Sequence, residues 1–246
     1  FIAYLATNLK SKAATRARKI STIRIFFNYL TNKAHILEIN PAQTLETPKQ
    51  DKRIPKYLSL DDSKKLLNIT ASEENRNKER DYAIITLFLN CGMRLSELVG
   101  INIKDIDFNE CKLNVIGKGN KERSVAISEK TAVHLKRYMS IYHSDGSKPD
   151  DYLFYTVIKG KIGSISMSTV ERILQKYADE ARIECPDIPE HVYPHLFRAE
   201  RATHLYRDGV DSIMISKILG HSSIETTKIY ALPSMEHRYG RLWPVP

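Results

Sequence analysis

The sequence predicts an α-rich α+β protein. A small all-helical domain over residues 1–48 is followed by a linker over 49–56 and a larger mixed domain over 57–246 with one small antiparallel sheet. Three observations lead to this class. Apolar residues recur at helical spacing through most of the chain, prolines interrupt that pattern around residue 50, and the period changes to two in one stretch around residue 115.

The chain opens on Phe1 inside a helical pattern, with no initiator methionine, and reads as a segment of a longer protein. Residues 13–31 place Ile20, Ile23, Phe27 and Leu30 on one stripe, with Arg16, Arg18, Lys19 and Arg24 on other faces. This is an amphipathic helix with a basic side, which either is simply solvated or faces phosphates. Pro41, Pro48 and Pro55 then fall among charged residues and resist regular structure. Ser59 and Asp62 form a capping box that opens the next helix. A helix over about 79–91 is rich in Ile, Leu and Phe and stops at Gly92.

The period then changes. Leu113 and Val115 alternate inward before Gly-Lys-Gly-Asn, and Val125 and Ile127 do so after it, which predicts a β-hairpin. Residues 129–143 read as a helix, and a second capping box, Ser168 with Glu171, precedes the stripe Val170, Ile173, Leu174, Tyr177, Ala178 and Ala181. Helices over about 195–208 and 211–219 end at Gly209 and Gly220, both suited to a left-handed stop.

Composition narrows the function. Lys and Arg outnumber Asp and Glu by 38 to 29, a net charge of +9, which fits either a polyanionic partner such as nucleic acid or a merely basic enzyme. Cys91, Cys111 and Cys185 are too few and too scattered for a disulfide framework or a CxxC metal site, and fit a reducing cytoplasm. No apolar run approaches the length of a membrane span and no secretory signal stands before the first helix.

Several polar residues could carry chemistry. Arg94 follows a glycine between two apolar helices, so it either pairs with Glu97, three residues on, or points into a cleft at an anion. The two uses are compatible, because a carboxylate can hold a guanidinium whose other donors bind phosphate. His195 and Arg198 share one face of a helix that begins near Pro194 and could bind one phosphate together; equally, they are a helix-start histidine and a surface arginine. A metal site at His191, His195 and Cys185 is disfavoured, because Pro194 interrupts the helix the histidines would need and zinc wants more ligands. Lys118 sits at the hairpin tip between two glycines, where a backbone can approach a ligand closely or a lysine can simply be solvated. In the segment LGHSSIETTKIY, His221 and Tyr230 are either a helix stop and a packed tyrosine or two parts of one site.

Taken in order, GMRLSELVGI, VIGKGNKERSVAIS, ATHLY and LGHSSIETTKIY resemble the wording of the tyrosine recombinases. This is the integrase family of phages, conjugative transposons and Xer-type chromosome resolvases, and the resemblance runs from about residue 3 to 235. It implies the DNA breaking-rejoining enzyme fold, with a partial helical core-DNA-binding domain and a catalytic domain closing as a clamp on duplex DNA. It implies an active site of Arg94, Lys118, His195, Arg198, His221 and Tyr230, supported by Glu97. Tyr230 would be the nucleophile, leaving a 3′-phosphotyrosyl link; Arg94 and Arg198 would clamp the non-bridging oxygens; Lys118 would protonate the departing 5′-oxygen. His195 would assist proton transfer at the tyrosine and His221 would donate to the phosphate.

The reaction implied is site-specific recombination or integration, as by a mobile element or a dimer resolvase, without metal, ATP or other cofactor. The partners implied are double-stranded DNA with recombination core sites, a Holliday junction, and a homo-tetramer built from a dimer on each site, with accessory DNA-bending or directionality proteins possible in such systems. Arg16, Arg18, Arg24, Lys49, Lys52 and Arg53 would meet backbone phosphates. The alternative is a non-catalytic DNA-binding accessory protein on the same fold. The chain departs from the family at Ala199, where a second histidine is frequent, with Glu200 and Arg201 after it. Tyr239, a rival nucleophile, fits none of the family's words. Against that family the tail past Tyr230 reads as shortened, and residues 1–48 read as a core-binding domain without the family's first helices or an arm-type DNA-binding domain.

Overall fold

The computed structural model describes residues 2–49, 58–72, 75–117, 121–143 and 146–220, with only the backbone described at Ile2 and Lys121. The chain divides into two compact units, Phe1–Arg53 and Ile54–Pro246.

In the first unit, α1 (Ile2–Thr7) packs on α2 (Ala13–Asn32). Leu5, Ala17, Ile20 and Ala42 are buried between them and the following irregular segment. Arg24 of α2 donates to the carbonyl of Leu45 and to Thr47 Oγ1 (3.1 Å), so this guanidinium ties the irregular segment to the helix. The proline-bearing residues 40–49 carry no helix or strand, as their composition predicts.

The second unit is built around one helix. α3 (Leu60–Thr70) opens at Ser59, whose hydroxyl accepts from Asp62 N while the Asp62 carboxylate accepts from Ser59 N, the expected capping box. α4 (Lys78–Cys91) packs against α3 and against three later helices: α6 (Glu129–Tyr142), α7 (Met167–Arg182) and α8 (Pro194–Arg207). Helices on several sides explain why Ala83, Ile84, Ile85, Leu87 and Phe88 are all buried; α4 has no solvent stripe there. Its one buried carboxylate, Asp81, accepts from Arg80 Nε (2.9 Å) and from the Tyr177 hydroxyl (2.8 Å).

After Gly92 comes the short α5 (Leu95–Val99), then a 3-10 turn (Ile103–Asp105) and a three-stranded antiparallel sheet in the order β1 (Ile106–Asp107), β2 (Lys112–Gly117), β3 (Lys121–Ala126). Leu113 and Val115 point into the core, and Leu113 pairs with Val125 across the ladder. The last helix, α9 (Ser212–Leu219), packs on α8 through Ala202, Leu205, Ile215 and Leu219.

Two expectations need correction. The unit holds a second antiparallel sheet, β4 (Tyr155–Ile158) with β5 (Lys161–Ser164), rather than one sheet in all. Its turn residues Lys159 and Gly160 both have positive φ (51° and 76°), the geometry of a tight two-residue hairpin. The capping box expected at Ser168 and Glu171 does not form, because α7 starts earlier: Ser166 is the N-cap, and its hydroxyl accepts from Thr169 N at 3.1 Å.

Candidate active site

Three helix ends meet at the site. α4 ends at Gly92, whose φ of +57° turns the chain out of the helix while its N–H donates to Phe88 O at 2.9 Å. A side chain is excluded here as well as strained: a Cβ on Gly92 would stand 2.7 Å from Leu219 Cδ2 and 3.2 Å from Arg201 Cβ. α9 ends at Gly220, also left-handed (φ +66°). α5 begins at Arg94, its N-cap.

Arg94 makes the expected pair with Glu97, and its other terminal nitrogen meets a backbone carbonyl. Its Nη1 donates to Glu97 Oε1 (2.8 Å), its backbone N–H to Glu97 Oε2 (2.8 Å), and its Nη2 reaches the carbonyl of Gly220 at 2.6 Å. Arg94 therefore stands at the N-cap and Glu97 in the first turn, so the carboxylate satisfies an orphan helix N–H and the guanidinium together.

Arg198, one turn after His195 on α8, is buried; its Nη1 donates to Gly92 O at 2.7 Å and its Nη2 to Leu219 O. The two guanidiniums thus converge on consecutive carbonyls, Leu219 and Gly220, directly before His221. His195 borders a cleft of about 370 Å³ with Met93, Arg94, Leu95, Glu171, Tyr193 and Pro194. Pro194 at the first turn of α8 sets this entry, since its missing N–H costs the helix nothing there.

A residue that the sequence reading passed over completes the cluster. Arg123 of β3 binds Glu97 with both terminal nitrogens, Nη1 to Oε1 (2.7 Å) and Nη2 to Oε2 (2.8 Å). The signal was available: Arg123 is two residues before Val125 and opposite Val115, so period-two alternation puts it on the inward face, where an arginine must find a partner.

The electrostatics follow from these contacts. Burial pushes the Glu97 carboxyl up, but hydrogen bonds from Arg123 and Arg94 outweigh it and hold the group below the usual carboxylate range. Partial burial, then the charges of Arg198 and Arg94, pull His195 down, so its imidazole is neutral at pH 7 and can accept a proton. Burial pushes Glu200 up to about 7, with Arg207 opposing and Asp62 reinforcing that rise. Glu200 lies in a pocket with Leu60, Ser63 and Leu67 of α3 and Leu89 and Asn90 of α4, which places it among core helices. Ala199 is buried too.

Arg94, Glu97, His195 and Arg198 are therefore brought together. Lys118, His221, Tyr230 and Tyr239 lie outside the described residues, as do Lys52 and Arg53. Of the other expected DNA contacts, Arg18 and Lys49 are exposed, Arg16 donates to Ser11 O, and Arg24 is engaged as described above. Among the described residues no three His, Cys, Asp or Glu side chains are grouped so that they could hold a metal ion, and no helix is long and apolar enough to cross a membrane.

Residues 56–237 match the model of the phage integrase family. The chain is 42% identical over 231 residues to "Tyrosine recombinase XerC" of Caldanaerobacter subterraneus subsp. tengcongensis, covering 94% of this chain and 62% of that relative's length. It is 38% identical over 232 residues to the XerC tyrosine recombinase of Thermodesulfovibrio yellowstonii, covering 93% and 75%. In fold it is similar to the XerH site-specific recombinase bound to palindromic difH substrate in a post-cleavage complex, with a TM-score of 0.77 at 21% identity, over 97% of this chain and 70% of that one. Matched over residues 56–237 by that family's model, and over more than nine tenths of its length by these tyrosine recombinases, the chain belongs to the phage integrase family.

Proposed function

We propose that this chain cuts and rejoins DNA strands at specific sites through a 3′-phosphotyrosyl intermediate, with residues 1–48 as a partial core-binding domain and 57–246 as the catalytic domain. The observation that carries this reading is the convergence of Arg94 and Arg198 on the Leu219–Gly220 carbonyls, one residue before His221.

Each guanidinium has five fixed N–H donors, so both suit the non-bridging oxygens of a phosphodiester and the extra charge of a pentacoordinate transition state. The Tyr230 oxygen attacks phosphorus, the bond to the 5′-oxygen breaks, and that oxygen takes a proton from Lys118. His195, neutral at pH 7, receives the phenolic proton. His221 donates to the phosphate. The phosphotyrosyl bond retains the energy of the phosphodiester, so a 5′-hydroxyl from a second strand reverses the step without ATP. The fixed cations carry the charge stabilisation, and no metal has a role in this scheme.

The same reading extends to assembly: four protomers, a dimer on each site, exchange strands between two duplexes through a Holliday junction in the cytoplasm. Arg16, Arg18, Arg24, Lys49, Lys52 and Arg53 meet backbone phosphates, so affinity falls steeply with salt.

The test is covalent trapping on nicked DNA substrates drawn from a pooled library, in EDTA, with Tyr230→Phe alongside. A denaturant-resistant adduct that disappears in the variant is the expected result. An adduct that survives it moves the nucleophile to another residue, Tyr239 first. DNA binding with no adduct supports the non-catalytic accessory protein instead.

A further inference from the structure

We propose that Arg123 is a positioning residue for the phosphate clamp, setting the orientation of Arg94 and the net charge of the cluster it forms with Glu97, without touching DNA; this rests on the recombinase reading above. Four hydrogen bonds meet on one carboxylate. Glu97 Oε1 accepts from Arg94 Nη1 (2.8 Å) and Arg123 Nη1 (2.7 Å), and Oε2 accepts from Arg94 N (2.8 Å) and Arg123 Nη2 (2.8 Å). The Glu97 side chain is 1% exposed and that of Arg123 15%, so water does not replace the guanidiniums at the carboxylate.

Charge counting gives the reason for a second arginine. An Arg94–Glu97 pair alone sums to zero and does little for the extra charge that a phosphodiester gains in the transition state. With Arg123 sharing the carboxylate the cluster carries +1, in a partly buried site where that charge is poorly screened. The fork also fixes geometry: a carboxylate held in plane by one bidentate guanidinium offers the second only its remaining lone pairs, which sets the direction of Arg94.

Arg123 reaches the other side of the clamp as well. Its Cδ, Nε and Cζ lie 3.1 Å from the position a Cβ would take on Gly220, so it packs beneath the residue whose carbonyl Arg94 grips. Its strand pairs with β2 up to Gly117↔Lys121, the last described pair before Lys118. One side chain thus braces the Arg94 helix start and the residue before His221.

The experiment compares the unaltered protein with Arg123→Gln and Arg123→Lys, each first shown to be folded by circular dichroism. Arginine side-chain NMR of 15N-labelled protein reads the Arg94 guanidinium, assigned by Arg94→Lys. Single-turnover adduct formation at saturating protein and DNA affinity are measured on the same samples. In Arg123→Gln the Arg94 signals move and lose their restricted rotation, and the adduct rate falls by about 10²-fold, the loss typical of one misplaced transition-state donor, while affinity changes by less than about threefold. Arg123→Lys, which restores charge but not the fork, recovers part of that rate. Unmoved Arg94 signals, or equal adduct rates in folded variants, overturn the proposal. Should Arg123→Gln not fold, Arg123→Lys alone decides: it retains charge, so a rate and an Arg94 spectrum identical to the unaltered protein overturn the orienting role. If the unaltered protein forms no Tyr230-dependent adduct, the recombinase reading falls, and the Arg94 spectra still decide whether Arg123 positions it.

Discussion

Arg94 Nη2 lies 2.6 Å from the carbonyl oxygen of Gly220, a residue 126 positions later in the chain. The contact joins the N-cap of α5 to the C-cap of α9. A left-handed cap turns the chain sharply, and here it presents a carbonyl to a guanidinium where an ordinary helix end would present it to water. The paired contact from Arg198 to Leu219 fixes the same junction from α8.

Gly92→Ala destabilises the second unit. The new methyl meets Leu219 Cδ2 at 2.7 Å in a backbone conformation that L side chains disfavour. A left-handed residue costs about 1–2 kcal/mol and overpacking about 1–3 kcal/mol, so a total of about 2–5 kcal/mol is expected. The midpoint of urea unfolding reads it.

Glu97→Gln leaves two partly buried guanidiniums without their counter-charge. Removing one partner of a buried ion pair typically costs about 3–5 kcal/mol, and that loss is expected at pH 7. Because the folded carboxyl sits below its unfolded value of 4.5, its contribution is complete above that pH and disappears as pH falls through the lower folded value. The stability gap between Glu97→Gln and the unaltered protein therefore narrows in acid, as paired denaturation curves at pH 7 and pH 3.5 would show.

Glu200 has the opposite slope. Its folded carboxyl is raised to about 7 from 4.5, so the folded state holds a proton that the unfolded state has released. Stability falls as pH rises between those two values, by on the order of 3 kcal/mol for a shift of this size. Lys64, Arg201 and His204 line the same pocket and Arg207 and Asp62 act on the group from α8 and α3, so the slope is theirs in part. Glu200→Gln flattens the profile and is more stable than the unaltered protein at pH 8, but not at pH 5. A steeper decline in the variant would contradict the assignment.

Cys91 is inert. Burial pushes its thiol up to about 12, against the opposing charges of Arg201 and Arg123. Cys111 and Cys185 are half-buried. Ellman's reagent at pH 8 is expected to label two thiols in the native protein and the third only after unfolding. Fast labelling of Cys91 would mean that α4 opens readily at its C-terminal end.

What was legible in the sequence was local. Ser59 with Asp62 announces α3 because a capping box needs only residues three apart, and Leu113, Val115 and Val125 announce the hairpin because one face of it is buried. The second hairpin was illegible for the converse reason: Val157, Ile158 and Ile162 are all exposed, so neither face alternates and no inward period exists to read. Ser166 displaced Ser168 as the α7 cap by two residues, within a run of hydroxyl residues that all make plausible caps. Arg123 was legible in principle from its parity with Val125, but a charged residue in a charged run draws no attention until its partner is known.

The sequence by itself determined the helical and strand periods, the stops at Gly92 and Gly220, the Arg94–Glu97 spacing and the one-turn step from His195 to Arg198. Those depend on φ preferences and on neighbours within a turn or two. Only the tertiary structure decided that Arg94 grips Gly220, that Arg198 grips Gly92 and Leu219, and that Arg123 shares Glu97. Those contacts span 21 to 126 residues, and they exist because α4 packs against α8 and α8 against α9, which brings three helix ends to one point. Burial leaves Arg198 little water to bind and restricts it at Arg94 and Arg123, so each guanidinium takes a carbonyl or a carboxylate that the fold supplies.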